Sequence, residues 1–437
     1  MGACRGSEAL RTVNIGLVGC GTVGGGFVHI LEQHAADFER QYGVSLALKA
    51  ATSRTKSKLV AKGVPEAAIV DSYRDIVADP DIDIVVELIG GTTVAADVVL
   101  EALACGKNVM TANKALLASR GADVLAAAAE NGVELCFEAA VGGGIPIIQP
   151  LKHALTGNAV SSVLGIVNGT TNYMLTRMAD DGLDYAAALA EAQALGYAEA
   201  DPTADVGGFD AAAKIAILAS IAFHSRVTLD DVYTEGIERI EPVDFVYADE
   251  MGYAIKLLAI AHRLEDGIDV RVHPTLIPKG HQLAAVNGVY NAIYVTGDAV
   301  GDCMFFGEGA GAGPAASAVM GDCIELARHI AAGTGPLESC TCTDELPIRP
   351  MGLLTTKYCL RLIVADEPGV LASITDVFAR CNVSIHSMTQ PSARDGRAEL
   401  IFMTHAAREA DIFAALELVE SLASVSEVRS VIRIEED

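Results

Sequence analysis

Basic residues are scarce in this 437-residue sequence: 31 Lys and Arg stand against 57 Asp and Glu, a formal net charge of −26. Such a polyanion repels nucleic acid and anionic lipid, so neither nucleic acid nor membrane is an expected partner. Paired cysteines are missing as well. Ten are scattered along the chain, only Cys340 and Cys342 lie close together, and no C-x-x-C occurs. That argues against a zinc framework or a disulfide ladder and for reduced, mostly buried thiols. Met1 to Thr12 holds no apolar leader, and the apolar stretch Ala211 to Phe223 is short and carries Lys214. It reads as a buried helix rather than a membrane span, so a cytoplasmic location is expected.

What is present suits a globular protein. With 51% hydrophobic and 20% charged residues, the chain can build sizeable cores and is not a disordered one. Its length suggests two to four domains. From Val13 to about Cys136, short apolar runs alternate with helical patterns. Val13–Val18, Val44–Ala51, Ile82–Leu88, Asn108–Thr111 and Val133–Phe137 read as strands buried on both faces, with helices such as Gly25–Glu39 and Ala95–Cys105 between them. This alternation predicts an α/β Rossmann-type, doubly wound parallel sheet.

After Pro146 strands become sparser, and helices are expected at Tyr185–Leu195, Phe209–Ala222 and Ala248–Arg263. Ile268–Ile277 and Asn291–Thr296 read as strands of a second sheet, giving an α+β substrate and dimerisation domain. Gly333–Leu353, rich in Gly, Pro and polar residues, reads as a linker. Beyond it come strand Tyr358–Val364, helix Val370–Arg380 and strand Val383–Met388. A turn at Pro391–Gly396 follows, then strand Ala398–Thr404, helix Glu409–Glu420 and strand Val428–Ile434. β-α-β-β-α-β is the order of a ferredoxin-like sandwich. The expected boundaries are 11–145 for the dinucleotide domain, completed by about 305–335, then 146–304, a linker at 336–356, and 357–437.

The first strand runs into Gly19-Cys20-Gly21-Thr22-Val23-Gly24, which fits G-x-G-x-x-G at the start of a helix. Gly19 permits the turn, Gly21 lets the backbone approach a pyrophosphate, and Gly24 allows close helix–strand packing; the helix N-terminus offers amides to the anion. An acidic residue after the second strand would hold a ribose 2′-hydroxyl. Here Thr52 to Lys58 contains no carboxylate and three cations, of which Arg54 is placed to meet a 2′-phosphate. NADP is thus favoured, with NAD also admissible.

Acid–base candidates cluster in Tyr197 to Lys214, where Glu199, Asp201, Asp205 and Asp210 precede one lysine. Asp210 and Lys214 are four apart and share a helix face amid apolar residues. A buried lysine with a carboxylate neighbour suits proton transfer, or alternatively a structural ion pair. Lys114, after the fourth strand, should face the cleft at the carboxyl ends of the sheet. Glu138 to Pro146 couples a carboxylate to a Gly-rich turn, which suits either a hard cation or an ordinary loop.

Taken together, GCGTVGGG, TANK, EAAVGGGIPII, VNGTTNYML, AEADPTADVGGFDAAAKIAIL, GYAIKLLAIA and NAIYVTGDAVGDCMFFGEGAGAGPAASAV resemble homoserine dehydrogenase, in consistent order from about residue 13 to about 330. The resemblance implies reversible reduction of L-aspartate 4-semialdehyde to L-homoserine, toward threonine and methionine. It matches Lys114 and Lys214 to the family's active-site lysines, Asp210 to the acid associated with catalysis, and Glu199 and Asp205 to substrate-side acids. Thr92 and Lys114 fall on the cofactor side, as do Gly309 and Gly311 in a loop returning from late in the chain. Glu138, with the backbone of Val141, Gly143 and Ile145, matches a monovalent-cation site, usually sodium. Two departures stand out: Val94 where the family often has proline, and Ala315 where threonine is common.

Asp366 to Ala372 (DEPGVLA) makes the C-terminal part similar to an ACT domain, which implies edge-to-edge pairing in a homo-oligomer (dimer or tetramer) and feedback by an amino acid such as threonine, or else an inert dimerisation module. An aldehyde-oxidising enzyme would need an activated cysteine, and Cys105 and Cys136 read as core residues. A pure nucleotide sensor would have no use for Lys114, Asp210 and Lys214. A fused aspartate kinase is not expected, since the dehydrogenase-like sequence begins almost at Met1.

Overall fold

The computed structural model describes residues 11–334, 340–391, 393–394 and 396–436. These form two compact units. One takes the described residues up to Val160, then Ala216–Leu229 and those from Asn291 to Glu345; the other takes Ser161–Ile215, Asp230–Tyr290 and those from Leu346 onward.

The first unit is built on β1 (Thr12–Val18), β2 (Ser45–Thr52), β3 (Ile84–Glu87), β4 (Asn108–Thr111) and β5 (Leu135–Cys136), all parallel in the order β2-β1-β3-β4-β5. The order reverses at β1 and β3, the switch point where open α/β sheets bind ligands. Every residue of β3 is buried, as expected for strands covered on both faces by crossover helices. Those helices are α1 (Thr22–Tyr42), α2 (Lys56–Ala61), α3 (Tyr73–Ala78), α4 (Val94–Ala104) and α5 (Lys114–Glu130). From late in the chain, neighbouring strands β10 (Tyr290–Gly297) and β11 (Gly301–Glu308) lead into α11 (Ala312–Ala332). Ala316, Val319, Met320 and Leu326 of α11 share one core with Ile15, Leu17 and Phe27. The helices approach closely because Gly26 has no side chain: a Cβ there would lie 2.4 Å from the Ala312 carbonyl oxygen.

In the second unit come β6 (Val160–Ile166), α6 (Gly169–Asp181), α7 (Tyr185–Ala194), α8 (Thr203–Val206) and α9 (Phe209–Ala222), whose residues beyond Ile215 belong to the first unit. They are followed by β7 (Tyr233–Thr234), α10 (Pro242–Glu250), β8 (Tyr253–Leu264) and β9 (Gly267–Pro278). The expectation of one helix over Ala248–Arg263 fails here. α10 stops at Glu250, Gly252 turns the chain with φ +83°, and β8 pairs antiparallel with β9 from Tyr253↔Pro278 to Leu264↔Gly267. Ile255–Ala261 is buried without a break, so an apolar run gave no period by which to tell strand from helix. β6 and β11 were not expected as strands either.

The C-terminal module contains β12 (Thr355–Ala365), α12 (Val370–Arg380), β13 (Ile385–Thr389), β14 (Ala393–Arg394), β15 (Arg397–Thr404), β16 (Ala407–Arg408), α13 (Glu409–Glu420) and β17 (Val425–Ile434). Its main strands run antiparallel in the order β17-β12-β15-β13, the ferredoxin-like arrangement. Tyr358, Leu360, Phe378, Phe402 and Leu416 fill its core, with Phe378 and Phe402 edge to face at 5.4 Å. Residues 392 and 395 of the expected turn, and 335–339 of the expected linker, lie outside the described residues.

Three separate segments cover the second edge of β9. Ile348 bridges Ile268, β7 pairs at Arg271–Val272, and β17 pairs in parallel through Arg433↔Thr275 and Ile434↔Leu276. No helix among the described residues is long and apolar enough to cross a membrane.

Candidate active site

β1 ends in a turn that only glycine fits. Gly19 has φ +103°, and a Cβ there would lie 2.7 Å from the Leu88 backbone; at Gly24 it would lie 2.3 Å from the Gly19 carbonyl oxygen. Around Gly21 nothing stands within 4 Å, so the backbone is open to a ligand. Gly21 caps α1 with no side-chain hydrogen bond, leaving the amides of Thr22, Val23 and Gly24 for an anion. This geometry fits a pyrophosphate. Arg54 is exposed just beyond β2, while its neighbour Lys56 is paired with Asp71.

The next two strand ends are tied together by a carboxylate that the sequence reading passed over. Glu87 is fully buried and accepts the N–H groups of Ile89 (2.7 Å) and Gly90 (3.0 Å) and the hydroxyl of Thr111 (2.6 Å). Asn113 donates to the Gly91 carbonyl (2.6 Å) and accepts the Leu116 N–H (3.1 Å), capping α5. The turn holding Thr92 is thereby fixed to the helix that Lys114 begins. A cation in the first helical turn opposes the helix dipole by about 0.3–1 kcal/mol, so Lys114 is poorly placed for stability and well placed for an anionic ligand. Val94 stands at the first position of α4, where proline is readily accommodated.

The Glu138 loop is organised from within. Its carboxylate accepts the N–H groups of Ile147 (2.5 Å), Ile148 (2.9 Å) and Gln149 (2.6 Å). Burial pushes Glu138 above the usual carboxylate range against these three bonds. Asp322, which accepts the Glu138 N–H at 2.9 Å, is pushed by burial up to about 8. Gly142 and Gly143 both take positive φ, and a Cβ on Gly143 would lie 2.4 Å from the Gly309 carbonyl oxygen. The early and late glycine loops therefore pack backbone to backbone, and Gly311 opens α11 with φ +131°. Ala315 is buried in the first turn of that helix. Among the described residues no group of three or more His, Cys, Asp or Glu side chains is arranged to hold a metal ion.

In the second unit, α9 places Asp210 and Lys214 on one face, each 8% exposed. Lys214 Nζ donates to Asp210 Oδ2 (2.7 Å) and to the Val167 carbonyl (2.6 Å). An ammonium has three donors, so one remains beyond these two. Asn168, the N-cap of α6, donates from one amide nitrogen to Asp210 Oδ2 (2.9 Å) and Asp205 Oδ1 (2.7 Å). Its own oxygen accepts from the Thr171 N–H and hydroxyl, which fixes the amide's orientation. Asp205 is half-buried on α8, held where Gly236 packs on Val206 and the Ile237 N–H donates to the Val206 carbonyl (2.9 Å). Glu199 lies apart and exposed, its carbonyl accepting from Gln193. The sequence showed the Asp210–Lys214 spacing; Asn168 stood in a quoted motif without a role.

A dinucleotide loop, a buried lysine paired with a carboxylate and a ferredoxin-like module define a nicotinamide-dependent oxidoreductase with an added regulatory domain. Three family models match: the homoserine dehydrogenase NAD binding domain over 19–138, homoserine dehydrogenase over 146–324, and the ACT domain over 360–424. Homoserine dehydrogenase of Synechocystis is 47% identical over 97% of this chain and 99% of its own, and that of Mycobacterium tuberculosis 46% over 97% and 98%. The crystal structure of a homoserine dehydrogenase from Thiobacillus denitrificans superposes with a TM-score of 0.93 at 43% identity, covering 98% of this chain and 99% of that one. A hyperthermophilic archaeal homoserine dehydrogenase mutant in complex with NADPH gives 0.62 at 26%, covering 72% of this chain and 98% of that one. The chain belongs to the homoserine dehydrogenase family, and it is an NAD(P)-dependent oxidoreductase carrying an ACT domain.

Proposed function

We propose that the Asn168–Asp205–Asp210–Lys214 cluster performs the acid–base half of the family's reaction, the reversible reduction of L-aspartate 4-semialdehyde to L-homoserine. The chemistry a bound nicotinamide supplies is a hydride for the aldehyde carbon. Charge then develops on the aldehyde oxygen, and Lys214, with one donor to spare, stabilises that charge and gives up a proton. Asp210 orients Lys214, and Asn168 holds Asp205 and Asp210 in register without adding charge. Glu199 and Asp205 are the partners for the substrate ammonium. Lys114 serves cofactor and substrate anions at the start of α5. The observation that carries this reading is the Asp210–Lys214 pair, buried in apolar company and hydrogen-bonded on both partners.

The amides at 22–24, the Thr92 turn and the 309–311 loop bind the dinucleotide, and exposed Arg54 favours NADP over NAD. Glu138, together with the main-chain oxygens of Val141, Gly143 and Ile145, is the donor set for a monovalent cation such as sodium; three N–H groups orient its carboxylate and leave it acceptor capacity to spare. An amino acid such as threonine regulates the cytoplasmic enzyme at the ACT domain, whose edge strand β13 supports pairing into a dimer or tetramer.

The test is aldehyde-dependent NADPH and NADH oxidation at 340 nm, wild type against Lys214→Ala. Loss of roughly a hundredfold or more in kcat, with NADPH binding retained, supports the assignment. Near-wild-type turnover in the variant would move proton transfer to Lys114.

A further inference from the structure

We propose that Cys340 and Cys342 form a dithiol oxidised by hydroperoxides, a modification site separate from the proposed acid–base cluster. Both border a cavity of about 130 Å³ in the first unit, walled by apolar residues including Leu117, Phe137, Ile217 and Val227, with Lys152 and Arg226 as its cations. The Thr343 N–H donates to the Thr341 carbonyl at 2.9 Å, closing a tight turn that sets the two thiols beside each other. Arg226 Nη2 donates to Cys340 Sγ at 3.8 Å. Lys152 lies 4.4 Å from the Phe137 ring centroid and also faces Asp322 and Glu138. Cys342 donates to the Ser220 carbonyl on α9 at 3.5 Å.

This is the environment of a reactive thiolate: a hydrogen-bond donor and cations beside a partly accessible sulfur. The Cys342 thiol, aided by Arg226 and Lys152, draws Cys340 below the usual thiol range, while Cys342 is raised. The roles follow. Cys340 thiolate attacks one peroxide oxygen, the O–O bond breaks, and hydroxide leaves with Cys340 as sulfenic acid. The Cys342 sulfur then attacks the Cys340 sulfur; an S–S bond forms, and the sulfenic oxygen departs with the Cys342 proton as water. Two thiols are oxidised and one peroxide is reduced. A cavity of this size has room for water-sized molecules such as hydrogen peroxide. Once formed, the disulfide has no S–H to donate to Ser220.

Cys105, expected in the core, is instead exposed where α4 ends, and provides an internal reference in the intact chain. Iodoacetamide at about pH 6.5, read by peptide mass spectrometry, should alkylate Cys340 about tenfold faster than Cys105. Arg226→Gln should narrow that ratio without touching either thiol. Hydrogen peroxide should remove two hydrogens from the peptide spanning 340–342, reversibly with dithiothreitol. Cys342→Ser should instead leave a dimedone-reactive sulfenic acid on Cys340, and Cys340→Ser should give neither product. Equal alkylation of Cys340 and Cys105, or a peroxide product that spares 340–342, overturns the proposal.

Discussion

Asn168 does two jobs with one side chain. Its oxygen caps α6 and its nitrogen separates two carboxylates, so substitution has two separable costs. Asn168→Ala should lower stability by about 0.5–2 kcal/mol through the lost cap. It should also lower kcat, by about tenfold, because Asp205 and Asp210 lose their common donor and Lys214 its fixed acceptor. NADPH affinity should not change, since the dinucleotide loop belongs to the other unit. Steady-state kinetics with a fluorescence titration of NADPH checks this; equal loss of both would mean a general folding defect. At this scale the sequence was legible where chemistry is local. Asp210 and Lys214 announce themselves by a four-residue spacing, and the glycines of the dinucleotide loop by their own steric demands. Asn168, Glu87 and Asn113 act through partners that the fold alone supplies, and an isolated Asn or Glu carries no such mark.

Among the elements, the parallel strands of the first unit were readable as short apolar runs set between helical patterns, and the C-terminal module by its β-α-β-β-α-β order. β8 was not, because burial on both faces erases alternation. What joins β12 to α10 was equally invisible. Arg361, 3% exposed on β12, donates to Asp244 (2.8 Å), Glu241 (2.7 Å) and Glu399 (3.0 Å). Arg361→Ala leaves a buried Asp244 uncompensated and should cost about 3–5 kcal/mol. For a domain of this size that corresponds to a melting temperature lower by roughly 6–20 °C in scanning calorimetry. Burial alone would push Glu241 up, but Arg429 and Arg361 hold it below its usual range. Stability from a depressed carboxylate is present above the unfolded pKa, about 4.3, and is lost as pH falls through the folded one. The gap between wild type and Arg361→Ala should therefore narrow in acid. A gap unchanged to low pH would show that packing, not charge, joins these elements.

For the whole molecule, the fold class was readable from the sequence, and so was the presence of a C-terminal module. The way that module joins the rest was not. β17 completes the second edge of β9, and Glu435 adds to it by donating its N–H to Leu276 (2.9 Å) and pairing with buried Arg271 (2.7 Å). A chain ended at Leu353 would expose Thr275 and Leu276 as unpaired edge and strand Arg271 without Glu435. It should form soluble aggregates on size-exclusion chromatography with light scattering, where the full chain elutes as a discrete species. A discrete, active truncated chain would contradict this.

That edge also has an evolutionary side. A lineage could not shed the module by a stop codon alone; it would first have to acquire a shortened β9, a charged guard residue, or another strand in the place of β17. Retention of the module in this chain is therefore no measure of whether it senses anything, because the edge of β9 would preserve it even with no effector to bind.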